Sequence, residues 1–279
     1  MRRSPQSQSG AAVIAAMLVV ALAATTATYA LHRQDLALRQ LEAARDYEQA
    51  RWILAGGTHW ARAILTEDAR SSATDHAREL WASGLKATEI EEATLTGSLH
   101  DEQGLFNLAN LRLDGKPSER DLAVLRRLLA AIGERATLAE PIAAALPMTE
   151  WAELHRIPGF DERTVRRLAG VATLLPGRTP INVNTAPPQV LAALVDGLEV
   201  AEAEILAQAL RAEPAKDAND FIARLPRRGL DAHASLVAVS SGFFKVRGRV
   251  VLRKADVRLE ALVRRQGTAS PQILWVWTS

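Results

Sequence analysis

The chain has 279 residues, no cysteine, 34 Lys+Arg against 32 Asp+Glu, and 48% hydrophobic residues of which few are aromatic. The missing thiols exclude a disulfide scaffold, a zinc ribbon, a cysteine nucleophile and a thiolate-held iron–sulfur cluster, and the apolar content excludes a disordered chain. Without Arg2 and Arg3 the charges balance at 32 against 32, so no bulk field favours nucleic acid or an anionic membrane surface.

Residues 11–31 carry no charge. Twenty-one helical residues span about 31 Å, one bilayer core. Arg2 and Arg3 ahead of the run put the N-terminus in the cytoplasm by the positive-inside rule. Three readings compete: a cleaved secretory signal cut near Thr28-Tyr29-Ala30, an uncleaved signal anchor, and a prepilin-type signal cut between Gly10 and Ala11 with the apolar helix retained.

No proline falls between residues 11 and 64, and helical periodicity continues past the apolar run. Leu36, Ala43, Tyr47, Ala50, Leu54, Gly57, Ala61 and Ile64 fall on one face. One helix of about 50 residues is expected, half in lipid and half amphipathic. Gly56-Gly57 marks either a kink or a close approach of another backbone. A coiled-coil stalk is the rival for this half, but Ala and Gly are poor seam residues.

Residues 71–87 read as loop and short helix, with Trp81 in the core, and 94–99 as a strand. Asp101-Glu102-Gln103-Gly104 reads as a solvated turn, because adjacent carboxylates in a strand point to opposite faces and do not converge as an acid–base pair. Beyond the turn 113–117 the texture is helical. Ser118 caps a helix with the stripe Leu122, Leu125, Leu128, Leu129 and Ile132. Further short helices are expected over 142–146, 149–154, 164–174, 188–194, 201–210 and 219–225. Past residue 231 the period changes to two, predicting four antiparallel strands over 243–277. Trp275 and Trp277 share one strand face, and the sheet is expected to pack on the long helix.

This organisation resembles the K-type minor pseudopilins of bacterial type II secretion systems. The matching motifs are the Gly10/Ala11 junction, the run Asp101-Glu102-x-Gly104-x-Phe106-Asn107-Leu108, and Ile181-Asn182-Val183-Asn184-Thr185-Ala186-Pro187 leading into Val190-Leu191. The resemblance implies an α+β fold: a pilin-like long helix plus antiparallel sheet, with a large inserted all-α domain. The expected divisions are a prepilin leader 1–10, a transmembrane part 11–31, the pilin-like helix and first αβ part 32–114, the inserted helical domain 115–232, and the C-terminal strands 233–279. The implied role is a minor subunit at the tip of an inner-membrane-anchored periplasmic filament that moves folded proteins across the outer membrane. Its partners would be other minor pseudopilins, the major pseudopilin, a prepilin peptidase and the inner membrane.

Most pilin-like subunits carry Glu at the fifth mature position, to neutralise the amine of the neighbour assembled just before. That position here is Ala15. A carboxylate in the bilayer core costs about 2.5–3.5 kcal/mol without a partner, so a subunit with nothing ahead of it gains nothing from one. Asn182, Asn184 and Thr185 are expected to cap the helix over 188–194 and satisfy turn backbone.

The rival from another class is a membrane-anchored helix-hairpin-helix nucleic-acid binder built on Ile157-Pro158-Gly159-Phe160-Asp161-Glu162-Arg163-Thr164. Such hairpins hold phosphate on backbone N–H groups at a helix N-terminus. Asp161 stands where a second Gly is usual and repels phosphate, so no nucleic acid is expected. The six histidines are scattered, and no catalytic or nucleotide-binding motif is present, so no enzyme is expected. Asp217, Asn219 and Asp220 offer three oxygen side chains that suit calcium or, equally, a helix cap. The resemblance allows calcium in the helical domain without mapping its ligands.

Overall fold

The computed structural model describes residues 9–227 and 229–279. Residues 1–8 of the leader, Arg2 and Arg3 included, lie outside the described residues.

Helix α1 runs unbroken from Ser9 to Ser71, 63 residues or about 95 Å. By length and composition it can cross a membrane, and its apolar stretch is not buried against the rest of the chain. Thr25, Thr26 and Thr28 return their hydroxyls to the carbonyls of Leu22, Ala23 and Ala24 at 2.8–2.9 Å, which removes the polar cost of threonine in an apolar medium.

Burial on α1 begins at Asp46 and Ala50 and continues through Leu54, Thr58, Ala61 and Leu65. The expected seam is therefore too long at its start: Leu36, Ala43 and Tyr47 stand exposed. The reason is the reach of the sheet. Strands β1 (Leu85–Ile90), β2 (Ala93–Asp101), β3 (Phe243–Leu252), β4 (Ala255–Arg264) and β5 (Gln272–Thr278) form one antiparallel sheet in that order. Its far tip is Arg253, which pairs with Asp46 of α1 and Glu92 of the β1–β2 turn, both at 2.6 Å. Beyond that tip there is no sheet for the helix to lie on.

Three C-terminal strands are found where the periodicity predicts four, because 243–252 is one strand. Gly248, which interrupts the alternation, is not a turn: a Cβ there would come 2.8 Å from Leu54 Cδ2, so the glycine lets α1 approach the sheet. Gly57 faces Leu95 across the same contact, while Gly56 faces open space. Neither expected role is met: the helix is unbroken at the pair, and a Cβ at Gly57 would make ordinary contact with the Leu95 side chain at 3.5 Å rather than meet another backbone. Residues 85–87, expected within loop and short helix, instead open β1, the outer strand beside β2.

One apolar cluster joins α1 to the sheet through Ala50, Leu54, Leu65, Trp81, Phe244 and Val257, among others. Trp81 meets the Phe244 ring edge-on at 5.2 Å. Trp275 and Trp277 pair with Leu262 and Glu260 on the opposite sheet face and are 42% and 57% exposed, so they do not pack on α1.

A second, separate cluster fills the helical unit. Its helices are α2 (Glu119–Ala131), α3 (Ala139–Ala145), α4 (Glu162–Ala169), α5 (Pro188–Leu194), α6 (Val200–Ala212) and α7 (Ala218–Ala223). The segments expected as helix at 149–154 and 170–174 are instead a 3-10 helix over Trp151–Arg156 and a turn leading to a short strand. Phe106, Leu108 and Leu111 belong to this second core, as do Leu236 and Val237. The unit therefore extends past 115 and 232 to the sheet's own ends, where β2 stops at Asp101 and β3 starts at Phe243.

Candidate functional site: the joint between sheet and helical unit

The chain leaves the sheet at Asp101 and returns beside it, with Phe244 opposite Asp101 in the β2–β3 register. A unit inserted at one point needs polar bonds there, because exit and entry interrupt two backbone ladders. The motifs at 101–108 and 181–187, far apart in sequence, meet at this point.

Asp101 is the centre. Its Oδ1 accepts from Gln103 N at 2.8 Å. Its Oδ2 accepts from Asn182 Nδ2 at 2.8 Å, from Thr185 Oγ1 at 2.6 Å and from Ser241 Oγ at 2.6 Å. Burial pushes this carboxyl up to about 6, against the opposing pull of those donors. Glu102 diverges from it, accepting from Thr173 Oγ1 at 2.6 Å and pairing with Lys245 Nζ at 3.0 Å. The two carboxylates do not converge, as strand geometry requires, but the solvated turn is wrong: Glu102 is 4% exposed, and Asp101 is half-buried with its carboxylate bonded to four donors. Charge in the sequence cannot reveal that the partners arrive from the inserted unit.

Gly104 lies flat on Thr185. A Cβ would come 2.6 Å from Thr185 Oγ1 and 3.0 Å from its backbone carbonyl. Gln103 ties Pro180 O at 3.3 Å and Gly242 N at 2.6 Å. Asn107, fully buried, makes four bonds, donating to Gly177 O and Thr179 Oγ1 and accepting from Ala109 N and Leu175 N.

The asparagines of the second motif bridge distant backbone rather than capping a helix. Asn182 Nδ2 also donates to Asp75 O at 3.0 Å, and its Oδ1 accepts from Asn184 N at 3.1 Å, the expected turn role. Asn184 pairs with both backbone groups of Ala215, at 3.0 and 2.8 Å. Helix α5 starts behind Pro187 with no side-chain cap. Pro188 at its first position has no N–H to satisfy, which removes part of the need.

Asp75, which no motif in the sequence marks, anchors a further set of bonds at the joint. Its Oδ2 accepts from Ser241 N at 2.6 Å and Arg265 Nη2 at 2.5 Å. Arg265 also reaches Asp68 Oδ2 at 2.8 Å and lies over the Phe244 ring at 4.8 Å. Burial, then the charges of Glu79 and Asp75, push Asp68 up to about 6.

The other candidates lie elsewhere. Gly10, Ala11 and Ala15 are exposed along the free half of α1. Asp161 caps α4, accepting from Thr164 N at 2.8 Å, and this bond holds its carboxyl below the usual range. Glu162 pairs with Arg166 at 2.9 Å, so carboxylates occupy the helix start where a phosphate would need to sit. Asp217 caps α7 through Asp220 N at 2.8 Å. Asp220 is held by Arg224 through both oxygens, at 3.0 and 2.7 Å, and by Lys216 N. With a guanidinium covering one carboxylate and the other committed to a cap, Asp217, Asn219 and Asp220 do not fit a calcium ion as arranged. Ser118 directs its hydroxyl to Asp121 Oδ2 at 2.5 Å and leaves the α2 backbone uncapped by its side chain.

The joint holds no nucleophile–base pair. Its chemistry is that of a rigid polar weld. The family described as "Type II secretion system (T2SS), protein K" matches residues 181–240, the stretch that contains Asn182, Asn184 and Thr185 and leads back to the sheet. Over 90% of its length the chain is 27% identical to the type II secretion system protein K of Pseudomonas aeruginosa, covering 86% of that protein. It is 25% identical to the protein of that name from Klebsiella pneumoniae, over 93% of both. Its fold is similar to a chain in the crystal structure of the GspK-GspI-GspJ complex from the enterotoxigenic Escherichia coli type 2 secretion system, with a TM-score of 0.75 and 21% identity over 86% of this chain and 99% of that one. The sequence likeness runs nearly end to end and the family match falls on the motif that builds the joint, so what this chain is similar to throughout is the protein K of type II secretion systems.

Proposed function

We propose that this chain is a K-type minor pseudopilin that sits at the tip of its filament, crosses the inner membrane once with its N-terminus in the cytoplasm, holds the rest of the chain in the periplasm, and serves export of folded proteins without enzymatic activity. The carrying observation is the joint: it fixes a bulky helical unit with its own core rigidly to the sheet. A rigid block cannot swing aside for closely stacked neighbours, so only an end position accommodates it. Ala15 agrees, since a first subunit has no preceding amine to neutralise.

A prepilin peptidase would cut between Gly10 and Ala11. Leu36, Leu38, Leu41 and Trp52 are exposed on α1 where the sheet does not cover it, and there the helices of other minor pseudopilins and of the major pseudopilin would pack. That a related chain is found with GspI and GspJ supports such partners. The test is immunogold labelling of the helical unit on surface-exposed filaments. Label confined to filament ends is expected; regular decoration along the shaft overturns the reading.

A further inference from the structure

The five-stranded sheet has two edges, and they are built differently. β1 carries Lys86 and Glu89 and breaks its register between Leu85 and Thr88. Charge and irregularity keep an edge from pairing with another chain. β5, at the other edge, has no charge and no proline over Gln272–Thr278. The irregularity in its ladder falls before Trp275 and leaves the rest of the strand regular. Trp275, Val276 and Trp277 are 42%, 50% and 57% exposed, so both faces of this strand are open. An exposed, uncharged, apolar edge is a template for another strand.

The ladder fixes which backbone groups are available. Arg258 and Ser279 exchange both of their N–H···O bonds, at 2.9 and 3.0 Å. Antiparallel pairs alternate, so Trp277 and Trp275 commit their backbone groups to Glu260 and Leu262, while Val276 and Thr278 aim theirs away from the sheet. An antiparallel strand added there would meet Trp275 and Trp277 in its pairs without hydrogen bonds, where side chains come closest.

Charge brackets this apolar centre. On the same face of β4, Asp256 and Glu260 are taken by Arg249 and Arg247 of β3, at 2.6 and 2.9 Å. Arg258, opposite Ser279, is 62% exposed and comes no closer than 4.0 Å to Asp256. Arg264, opposite Gln272, is exposed, lies over the Phe243 ring and has no ion pair among the described residues. Two uncommitted guanidinium groups at the two ends of β5 suit carboxylates at the two ends of an added strand. A second copy of this chain does not fit. Two β5 strands paired antiparallel are related by a two-fold axis normal to the sheet, and α1 lies on that sheet. The two long helices would run in opposite directions, which chains inserted the same way into one membrane cannot do.

We infer that β5 docks an extended segment of another protein as a sixth strand, apolar where it meets Trp275 and Trp277 and acidic at both ends. Main-chain bonds to Val276 and Thr278 would hold it, and the two indoles and two arginines would select its side chains.

The probe is a fluorescein-labelled, end-blocked peptide, Glu-Thr-Val-Thr-Val-Thr-Glu, titrated into the full chain in detergent micelles and read by anisotropy. Expected are saturable binding and slowed hydrogen exchange at Val276 and Thr278. Affinity should fall at least tenfold for the peptide N-methylated at its threonines, whose amides would face β5, and for a peptide with Lys in place of both Glu. The double variant Arg258→Glu, Arg264→Glu should reverse the preference between the two end charges. Val276→Pro removes an outward N–H and no bond to β4, so binding should be lost with the fold retained by circular dichroism. If Val276→Pro proves unfolded, the arginine variant decides. No saturable binding by the wild type, equal binding of the N-methylated peptide, undiminished binding in folded Val276→Pro, an unchanged charge preference in the arginine variant, protection falling on β1, or protection of β5 by self-association without peptide would each overturn the assignment.

Discussion

Asp101 and Phe244 face each other across β2 and β3, the first pair of the ladder beyond the point where the helical unit joins the sheet. One side of this pair is a carboxylate tied to the inserted unit; the other is a ring in the core between α1 and the sheet. The joint and the pilin-like core are therefore adjacent, and damage to one should be felt by the other.

Asp101→Ala strands the donors Asn182 Nδ2, Thr185 Oγ1 and Ser241 Oγ. Leaving buried donors unmatched costs about 1–3 kcal/mol, so a loss of that order is expected in chemical denaturation. Thermal melts of the full chain in detergent check it; an unchanged midpoint would contradict the central role of this carboxylate.

The same residue sets a pH dependence. Burial raises its folded pKa to about 6 from 3.8, so between those values the folded chain binds more protons than the unfolded one. Stability from this group is present below about pH 4 and is lost as pH rises to about 6. Asp101→Asn does not titrate. The wild type should thus lose stability relative to Asp101→Asn over that window, by roughly 1–3 kcal/mol. Parallel stability-against-pH curves for the two proteins would refute the assignment.

Two glycines should respond in opposite ways. Gly104→Ala drives a Cβ into the Thr185 backbone, and overpacking of this kind costs about 1–3 kcal/mol. Gly56→Ala meets nothing within 4 Å inside a helix and should stabilise by up to about 1 kcal/mol. Denaturation midpoints of both variants test the contrast.

Gly10 has open space around its Cα, so Gly10→Val leaves the described fold undisturbed while crowding the proposed scissile bond. The expected outcome is accumulation of unprocessed precursor in membranes, read by gel mobility and N-terminal sequencing. A mature chain starting at Ala11 in this variant would remove Gly10 from the processing signal.

Joining Asp101 to Phe243 through a short turn should leave α1 and the five-stranded sheet folded, because the two residues end adjacent antiparallel strands and the two main cores share no residue. Circular dichroism should retain both helix and strand signals with a cooperative melt. A non-cooperative remainder would mean that the helical unit supplies stability the sheet lacks.

What the sequence determined alone was local in cause. An uncharged run without proline makes a long helix whatever surrounds it. Asp161 and Asp217 cap α4 and α7 through donors three residues away. Alternation makes strands, and the motifs at 101–108 and 181–187 carry the family likeness. Tertiary structure decided everything that depends on a distant partner. The helix seam starts at Asp46 because the sheet's tip ends at Arg253. Gly248 belongs inside one strand because Leu54 presses on it. Asp101 and Glu102 look like a wet turn from their neighbours, yet they are bonded by Asn182, Thr185, Thr173, Ser241 and Lys245, which lie 71 to 143 positions further along the chain. Charge in a sequence states only the cost of burial; whether that cost is met depends on donors that folding alone brings within 3 Å.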